Sequence, residues 1–370
     1  VSPIAVRILR DLGELDLAAW DAVQAPGGFY ASTPWLRHAQ ATADLPPRYL
    51  AAFRDGRLLG AVPAYPLGID SPFVFCRTDA VVDAIHRDRL GEPADWAAGL
   101  MPTLACGGRN PAHTRVGVAA DLDSADRRAV IDAVVAAAGG EARAAGLRSV
   151  AFLYVDENDT PLRDALRADG GYVELVSDQA YLLELPDGDV FPAYLAGFRR
   201  KRRHALAREQ RTLAAAGVTY QTQRLTDELV ERIAPLELAL YARHGTTADP
   251  TAFTGVLRSI ARHTGDTAVV VTAHVAGRLA GFVLVFVYAG ELYARQTGFD
   301  YPVVDGLPVY FGLVYSELVR LAGEWGMRRI DYSTGSGTAK RSRGCREVGQ
   351  YAYVRTEDPD LRARLTALGC

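Results

Sequence analysis

Apolar and polar positions along the chain follow the same order twice. In the first half, apolar-rich runs at 48–53 and 57–65 flank Asp55-Gly56, whose glycine tolerates the positive φ of a tight turn, and together they predict a β-hairpin. In the second half, runs at 268–274 and 278–288 flank Ala276-Gly277, and Ala289-Gly290 leads into a further run at 291–297, so a three-stranded antiparallel meander is expected. An irregular, Pro- and Gly-containing region at 66–114 follows the first hairpin, then an Ala-rich stretch at 124–145 with helical spacing, Gly146, and an apolar run at 149–155. After the meander the order recurs as a loop, a helix over 309–325, Gly326 and a strand at 329–333. The recurrence implies an internal duplication. Each half is then a mixed sheet with flanking helices, an α/β architecture divided into domains at 1–180 and 181–370.

Composition narrows the class. The 370 residues, 49% hydrophobic and 23% charged, suit a globular chain with a sizeable core and argue against disorder or a fibrous repeat. With 41 Lys+Arg against 44 Asp+Glu the net charge is -3, so any anionic partner must be met by a local patch. The four cysteines, Cys76, Cys106, Cys345 and Cys370, are scattered without a C-x-x-C pair, which fits a reducing compartment better than a disulfide framework. The most apolar run, 279–288, suits a buried strand and is too short to span a bilayer, and the charged residues within 1–14 leave no apolar core for a signal peptide. These features predict a cytoplasmic protein without membrane insertion. The seven histidines show no H-x-x-x-H or H-E-x-x-H spacing, so no metal is expected.

One local patch stands out at the join of the halves. Residues 181–185 read as a strand, Pro186-Asp187-Gly188 as a turn, and 191–215 as a helix ending at Gly217. Across 199–211 seven basic side chains (Arg199, Arg200, Lys201, Arg202, Arg203, Arg208, Arg211) accompany one acid, Glu209. Such a helix is either a solvated face or a clamp for phosphates, since arginine forks pair bidentately with phosphate oxygens.

The most informative stretch is 307–349, LPVYFGLVYSELVRLAGEWGMRRIDYSTGSGTAKRSRGCREVG, in which a helix leads to a strand ending Asp331-Tyr332-Ser333, a Gly-rich turn, Lys340 and Arg343-Gly344. Read with Glu291-Leu292-Tyr293-Ala294-Arg295 upstream, it resembles the second domain of Fem-like tandem GNAT acyltransferases. The segment 198–211 resembles that family's Arg/Lys-rich helix, which opens the second domain, and 29–36 with 46–65 resembles the start of its first domain. The resemblance implies two tandem GNAT-like domains, with the active site in the second. The usual pyrophosphate loop, Arg/Gln-x-x-Gly-x-Gly/Ala, is absent. Val304-Asp305-Gly306-Leu307-Pro308 stands in its place, and Asp305 disfavours an anion at the following helix N-terminus. This departure favours aminoacyl-tRNA, the donor of Fem-like relatives, over acyl-CoA, with no further cofactor. The basic residues Arg199, Arg200, Lys201, Arg202, Arg203 and Arg211 would hold the tRNA.

Acyl transfer to an amine needs a deprotonated nucleophile, stabilisation of the tetrahedral oxyanion and a proton for the leaving group. The resemblance assigns Lys340 to the oxyanion or a donor phosphate, and a mobile surface lysine is the alternative. Asp331 is a candidate base or ammonium anchor, or else a turn residue for 333–337. His244, after Tyr241 in LYARHGTT, is a further candidate base because its ordinary pKa lies near neutrality. Arg295 on a central strand must find an anion, substrate or internal carboxylate. Tyr241, Tyr310, Ser333 and Arg343 complete the candidate substrate contacts, and Cys345 reads as structural. The expected reaction joins an aminoacyl or acyl group to the amine of a small-molecule or peptide acceptor, with a non-catalytic RNA- or anion-binding tandem GNAT as the competing class.

Overall fold

The computed structural model describes residues 2–25, 28–111, 113–243, 245 and 249–369. In chain order the first half holds β1 (Ala5–Leu9), α1 (Leu17–Gln24), α2 (Thr33–Ala41), β2 (Arg48–Arg54), β3 (Arg57–Leu67), α3 (Thr78–Leu90), β4 (Thr103–Cys106), β5 (Gly117–Val118), α4 (Ser124–Ala144), β6 (Ser149–Asp156), α5 (Thr160–Asp169) and β7 (Val173–Glu184). The second half holds α6 (Val190–Ala196), α7 (Arg200–Ala215), β8 (Val218–Arg224), α8 (Asp227–Arg243), α9 (Pro250–Thr264), β9 (Ala268–Val275), β10 (Arg278–Tyr288), β11 (Glu291–Phe299), α10 (Tyr301–Val304), α11 (Val309–Phe311), a π-turn at Gly312–Glu317, α12 (Leu318–Glu324), β12 (Arg329–Thr334), α13 (Gly337–Arg341), β13 (Arg346–Thr356) and α14 (Pro359–Gly369).

The hairpin and the meander form as their turns demand. Asp55-Gly56, Ala276-Gly277 and Ala289-Gly290 all hold both central residues at positive φ, the geometry that matches strand twist in two-residue hairpins. Helix α4 starts where the Asp123 side chain accepts from the Asp126 N–H, and the chain leaves it through Gly146 at φ +66. Two expectations are corrected. The region 66–114 contains α3, whose buried Val81, Val82 and Ile85 follow helical spacing up to the left-handed Gly91, and β4, a four-residue strand buried throughout that shows no alternation. The helix expected over 191–215 breaks into α6 and α7, because Arg199 adopts φ -59 and ψ 150 and serves as the N-cap position of α7.

The chain divides into two compact units, Val1–Ala180 with Val348–Cys370, and Tyr181–Glu347. Residues 348–370, expected in the second domain, thus belong to the first unit, where β13 pairs antiparallel with β6. The first unit has strand order β1-β2-β3-β4-β6-β13-β7, with β5 beside β3. Its largest core cluster joins Val130, Val134 and Ala138 of α4 to Leu50, Val62, Leu104 and Phe152 of the sheet. In the second unit the order is β12-β11-β10-β9-β8. There Val271, Val283, Leu292 and Ile330 pack with Val309, Leu313, Leu318 and Val319, each large aliphatic contributing about 1.5–3 kcal/mol on burial.

The duplication is visible in one shared device. Each unit contains a pair of neighbouring parallel strands, β4 with β6 and β11 with β12, and each second strand follows a helix. Near the end of that strand each unit also holds a non-glycine residue at positive φ, Tyr154 at +59 and Ser333 at +55. In the first unit the ladder is continued by a bridge between Thr114 and Val155, and the Trp35 indole N–H donates to the Gly108 carbonyl at 2.7 Å across the intervening loop. In the second unit, among the described residues, the β11/β12 register ends at Tyr293/Asp331.

Candidate active site

Among the described residues, strands β11 and β12 pair at Glu291/Arg329, Leu292/Ile330 and Tyr293/Asp331, and then they part. The cause lies in β11. Its register against β10 passes from Ala294/Val285 to Gln296/Leu284, so Arg295 is an extra residue, and such a bulge bends the strand and re-aims its side chains. Crevices outside the carboxyl ends of parallel strands are the usual binding position of open α/β sheets. Two groups of side chains lie at these strand ends.

The first group lies between β11 and α8. Gly298 has no side chain, and a Cβ there would stand 2.4 Å from the backbone nitrogen of Glu237, so the helix backbone rests directly on the strand. This contact brings Glu237 against Gln296. The Gln296 amide donates to Glu237 Oε1 at 3.1 Å, and the Tyr241 hydroxyl donates to the same oxygen at 3.1 Å. Glu237 is 2% exposed, and its Oε2, like Gln296 Oε1, has no hydrogen-bond partner among the described residues. Burial pushes the Glu237 carboxyl up to about 8, against the opposing effects of the Gln296 and Tyr241 hydrogen bonds and the Arg295 charge. The Tyr241 hydroxyl is itself raised, first by burial and then by Glu237. Its ring meets Phe253 of α9 edge-on at 5.7 Å.

The second group closes the end of β12. Asp331, 2% exposed, accepts from the Ser333 N–H through Oδ1 at 2.7 Å, a turn-forming bond. Ser333, Gly335 and Ser336 all take positive φ in that turn. Lys340 on α13 is buried, and its ammonium donates to the carbonyls of Tyr332 at 2.5 Å, Ser333 at 3.2 Å and Thr334 at 2.7 Å. An ammonium has three N–H donors, and three successive carbonyls meet them. Lys340 therefore clamps the strand end, and the alternative of a mobile surface side chain is excluded by its burial.

Arg343 is 1% exposed and forms a two-pronged pair with Glu209 of α7, at 2.8 and 3.2 Å, beneath the ring of Phe311 at 4.1 Å. Arg202 donates to the carbonyl and hydroxyl of Ser342, both at 2.9 Å. These two contacts fasten α7 to the loop after β12. Arg199, Arg200, Lys201, Arg203, Arg208 and Arg211 remain exposed. Arg203 lies along its own N-terminal turn, on the carbonyls of Ala196 and Phe198. Tyr310 shares a 3.2 Å hydroxyl contact with Tyr315 and meets Phe299, the last residue of β11, edge-on at 5.8 Å. His244 lies outside the described residues. Burial pushes the Cys345 thiol up to about 12, which removes it as a nucleophile. No metal-holding cluster of His, Cys, Asp or Glu occurs among the described residues.

A family model, FemAB_like, described as "Peptidogalycan biosysnthesis/recognition", matches residues 11–368. The chain belongs to the FemAB-like family. No curated protein matches the sequence. Solved structures similar to this FemAB-like chain include FemX, at 12% identity and TM-score 0.64 over 97% of this chain and 100% of that one. L-PGS from Bacillus licheniformis is similar at 12% identity and TM-score 0.57, over 97% of each chain. A tandem GNAT protein from the clavulanic acid biosynthesis pathway is similar at 14% identity and TM-score 0.53, over 96% of this chain and 99% of that one. The fold is the expected tandem GNAT fold.

The sequence marks Tyr241 and Arg295 as candidates but not their neighbours Glu237 and Gln296, which hydrogen bond to each other. A signal for Glu237 was present. Leu229, Val230, Ile233, Ala234 and Glu237 form the buried stripe of α8, so a carboxylate occupies a core position of the helical repeat. Gln296 carried no such mark, because its orientation follows from the bulge. No helix among the described residues is long and apolar enough to cross a membrane.

Proposed function

We propose that this FemAB-like acyltransferase moves an aminoacyl group from aminoacyl-tRNA to the amine of a small-molecule or peptide acceptor, forming an amide. The observation that carries the donor is the disposition of α7. Its exposed cations face solvent, while Arg202 and Glu209 bind it to the loop after β12, beside the clamped turn at 331–340. A polyanion gripped along α7 therefore has its end delivered near the carboxyl ends of β11 and β12. An aminoacyl ester is already activated, so transfer needs positioning, oxyanion stabilisation and a proton acceptor but no covalent enzyme intermediate. The cytoplasm is where such a donor would be met.

Binding of hydrolysis-resistant aminoacyl-tRNA, measured against salt, tests the reading. The log-log slope should be several, and Arg208→Ala and Arg211→Ala should each reduce it by about 1 if they touch a phosphate. Salt-insensitive RNA binding with saturable CoA binding would instead establish acyl-CoA as the donor. Tight tRNA binding with no transfer to any amine would establish the non-catalytic class.

A further inference from the structure

We infer that Glu237 and Gln296 form the subsite for the acceptor's primary ammonium group, and that Glu237 takes the proton whose loss turns that ammonium into the nucleophile. This rests on the amide-forming reading above and names its acceptor class. In the ionised form of Glu237 two buried acceptor atoms, Glu237 Oε2 and Gln296 Oε1, have no donor among the described residues, although the other oxygen of Glu237 accepts from both Gln296 and Tyr241. A buried acceptor left unmet costs about 1–3 kcal/mol, and such atoms are satisfied by ordered water, an ion or a ligand or mark a catalytic position. The missing group must bring several N–H donors to a small volume. A primary ammonium brings three, so it can meet both oxygens and still direct its nitrogen elsewhere.

The charges around the pair suit the proton transfer. Among the described residues, the charged and titratable groups acting on Glu237 are Tyr241 on its own helix and Arg295 on β11, and from α9 the uncharged ring of Phe253 packs behind Tyr241. Arg295 disfavours a second cation close by, so the bound ammonium is pressed toward its neutral form. Burial meanwhile makes Glu237 a stronger base than an exposed carboxylate, up to about 8, so the two groups approach each other in proton affinity. The step balances. The ammonium gives one proton to Glu237, the nitrogen lone pair forms the C–N bond to the ester carbonyl carbon, and the tetrahedral adduct breaks its C–O bond to the carrier. A second nitrogen proton goes to the departing oxygen, leaving a neutral amide and a hydroxyl, and Glu237 later releases its proton to solvent.

The test uses the full chain with 15N-labelled glutamine side chains and butylammonium as probe. Saturable movement of the Gln296 amide signals is expected in the wild-type protein, weakened at least tenfold in Glu237→Gln and retained in part in Glu237→Asp. No movement in the wild-type protein, or equal movement in Glu237→Gln, overturns the subsite. With aminoacylated tRNA as donor and butylamine as acceptor, kcat should rise with pH through a limb near 8. Glu237→Gln should lose that limb and about 100-fold in kcat while keeping tRNA affinity. An unchanged limb in Glu237→Gln overturns the proton-acceptor role alone. If no transfer occurs even in the wild-type protein, the donor reading falls, and the amide titration by itself decides the subsite.

Discussion

Glu237 makes the stability of the fold depend on pH in a direction opposite to that of most carboxylates. An unfolded glutamate ionises near 4.5, whereas burial holds the native group at about 8. Between these values the native state keeps a proton that the unfolded state has released, so raising the pH favours unfolding. Each pH unit inside the window costs about 1.4 kcal/mol, which amounts to about 3 kcal/mol by pH 7 and about 5 kcal/mol above pH 8. Glu237→Gln carries a neutral amide at every pH and its oxygen can still accept from Tyr241. Urea unfolding of the two proteins should therefore give a stability difference that is small near pH 4.5, grows by about 3 kcal/mol in favour of the variant by pH 7, and levels off beyond pH 8. All other titrating groups are common to both proteins and cancel. A difference that stays constant from pH 5 to 8, or that grows in favour of the wild-type protein, would refute the buried, proton-retaining state of Glu237.

Four further outcomes are expected. Glu209→Ala strands the buried Arg343 guanidinium and should cost about 3–5 kcal/mol in urea unfolding, most of it recovered when Arg343→Met is added. Lys340→Met removes the donor to three carbonyls and should cost about 2–3 kcal/mol, with exchange of the 332–334 amides accelerating before the rest of the sheet. Gly298→Ala drives a methyl into the α8 backbone and should cost about 2–3 kcal/mol while displacing the Gln296 amide resonances. Ala276→Asn, at an exposed turn position with φ +48, should raise stability by about 0.5–1 kcal/mol, read as a higher urea midpoint at constant slope.

The strand-end residues show how far local chemistry was legible. Its sequence neighbourhood allows Asp331 to be either a base or a turn residue, and the Ser333 amide on its oxygen displays the turn bond. Lys340 carried a functional expectation by resemblance, and its burial beneath three carbonyls follows from the positive-φ turn, which points successive carbonyls inward. Arg343 had no visible partner in its neighbourhood. Its carboxylate, Glu209, lies 134 positions away and is, along the chain, the one acid in a basic helix.

The sequence by itself determined the repeated order of elements, the three two-residue hairpins, the helix that precedes each parallel strand and the concentration of cations near 199–211. All of these arise from interactions within a few residues: side-chain period, turn conformation and glycine stops. Only the tertiary structure decided that 348–370 returns to the first unit, that Arg295 is the bulged residue, and that Glu237 meets Gln296 with an oxygen to spare. These depend on register and on the close approach of α8 to Gly298, which are set by packing between distant segments and leave no periodic trace along the chain.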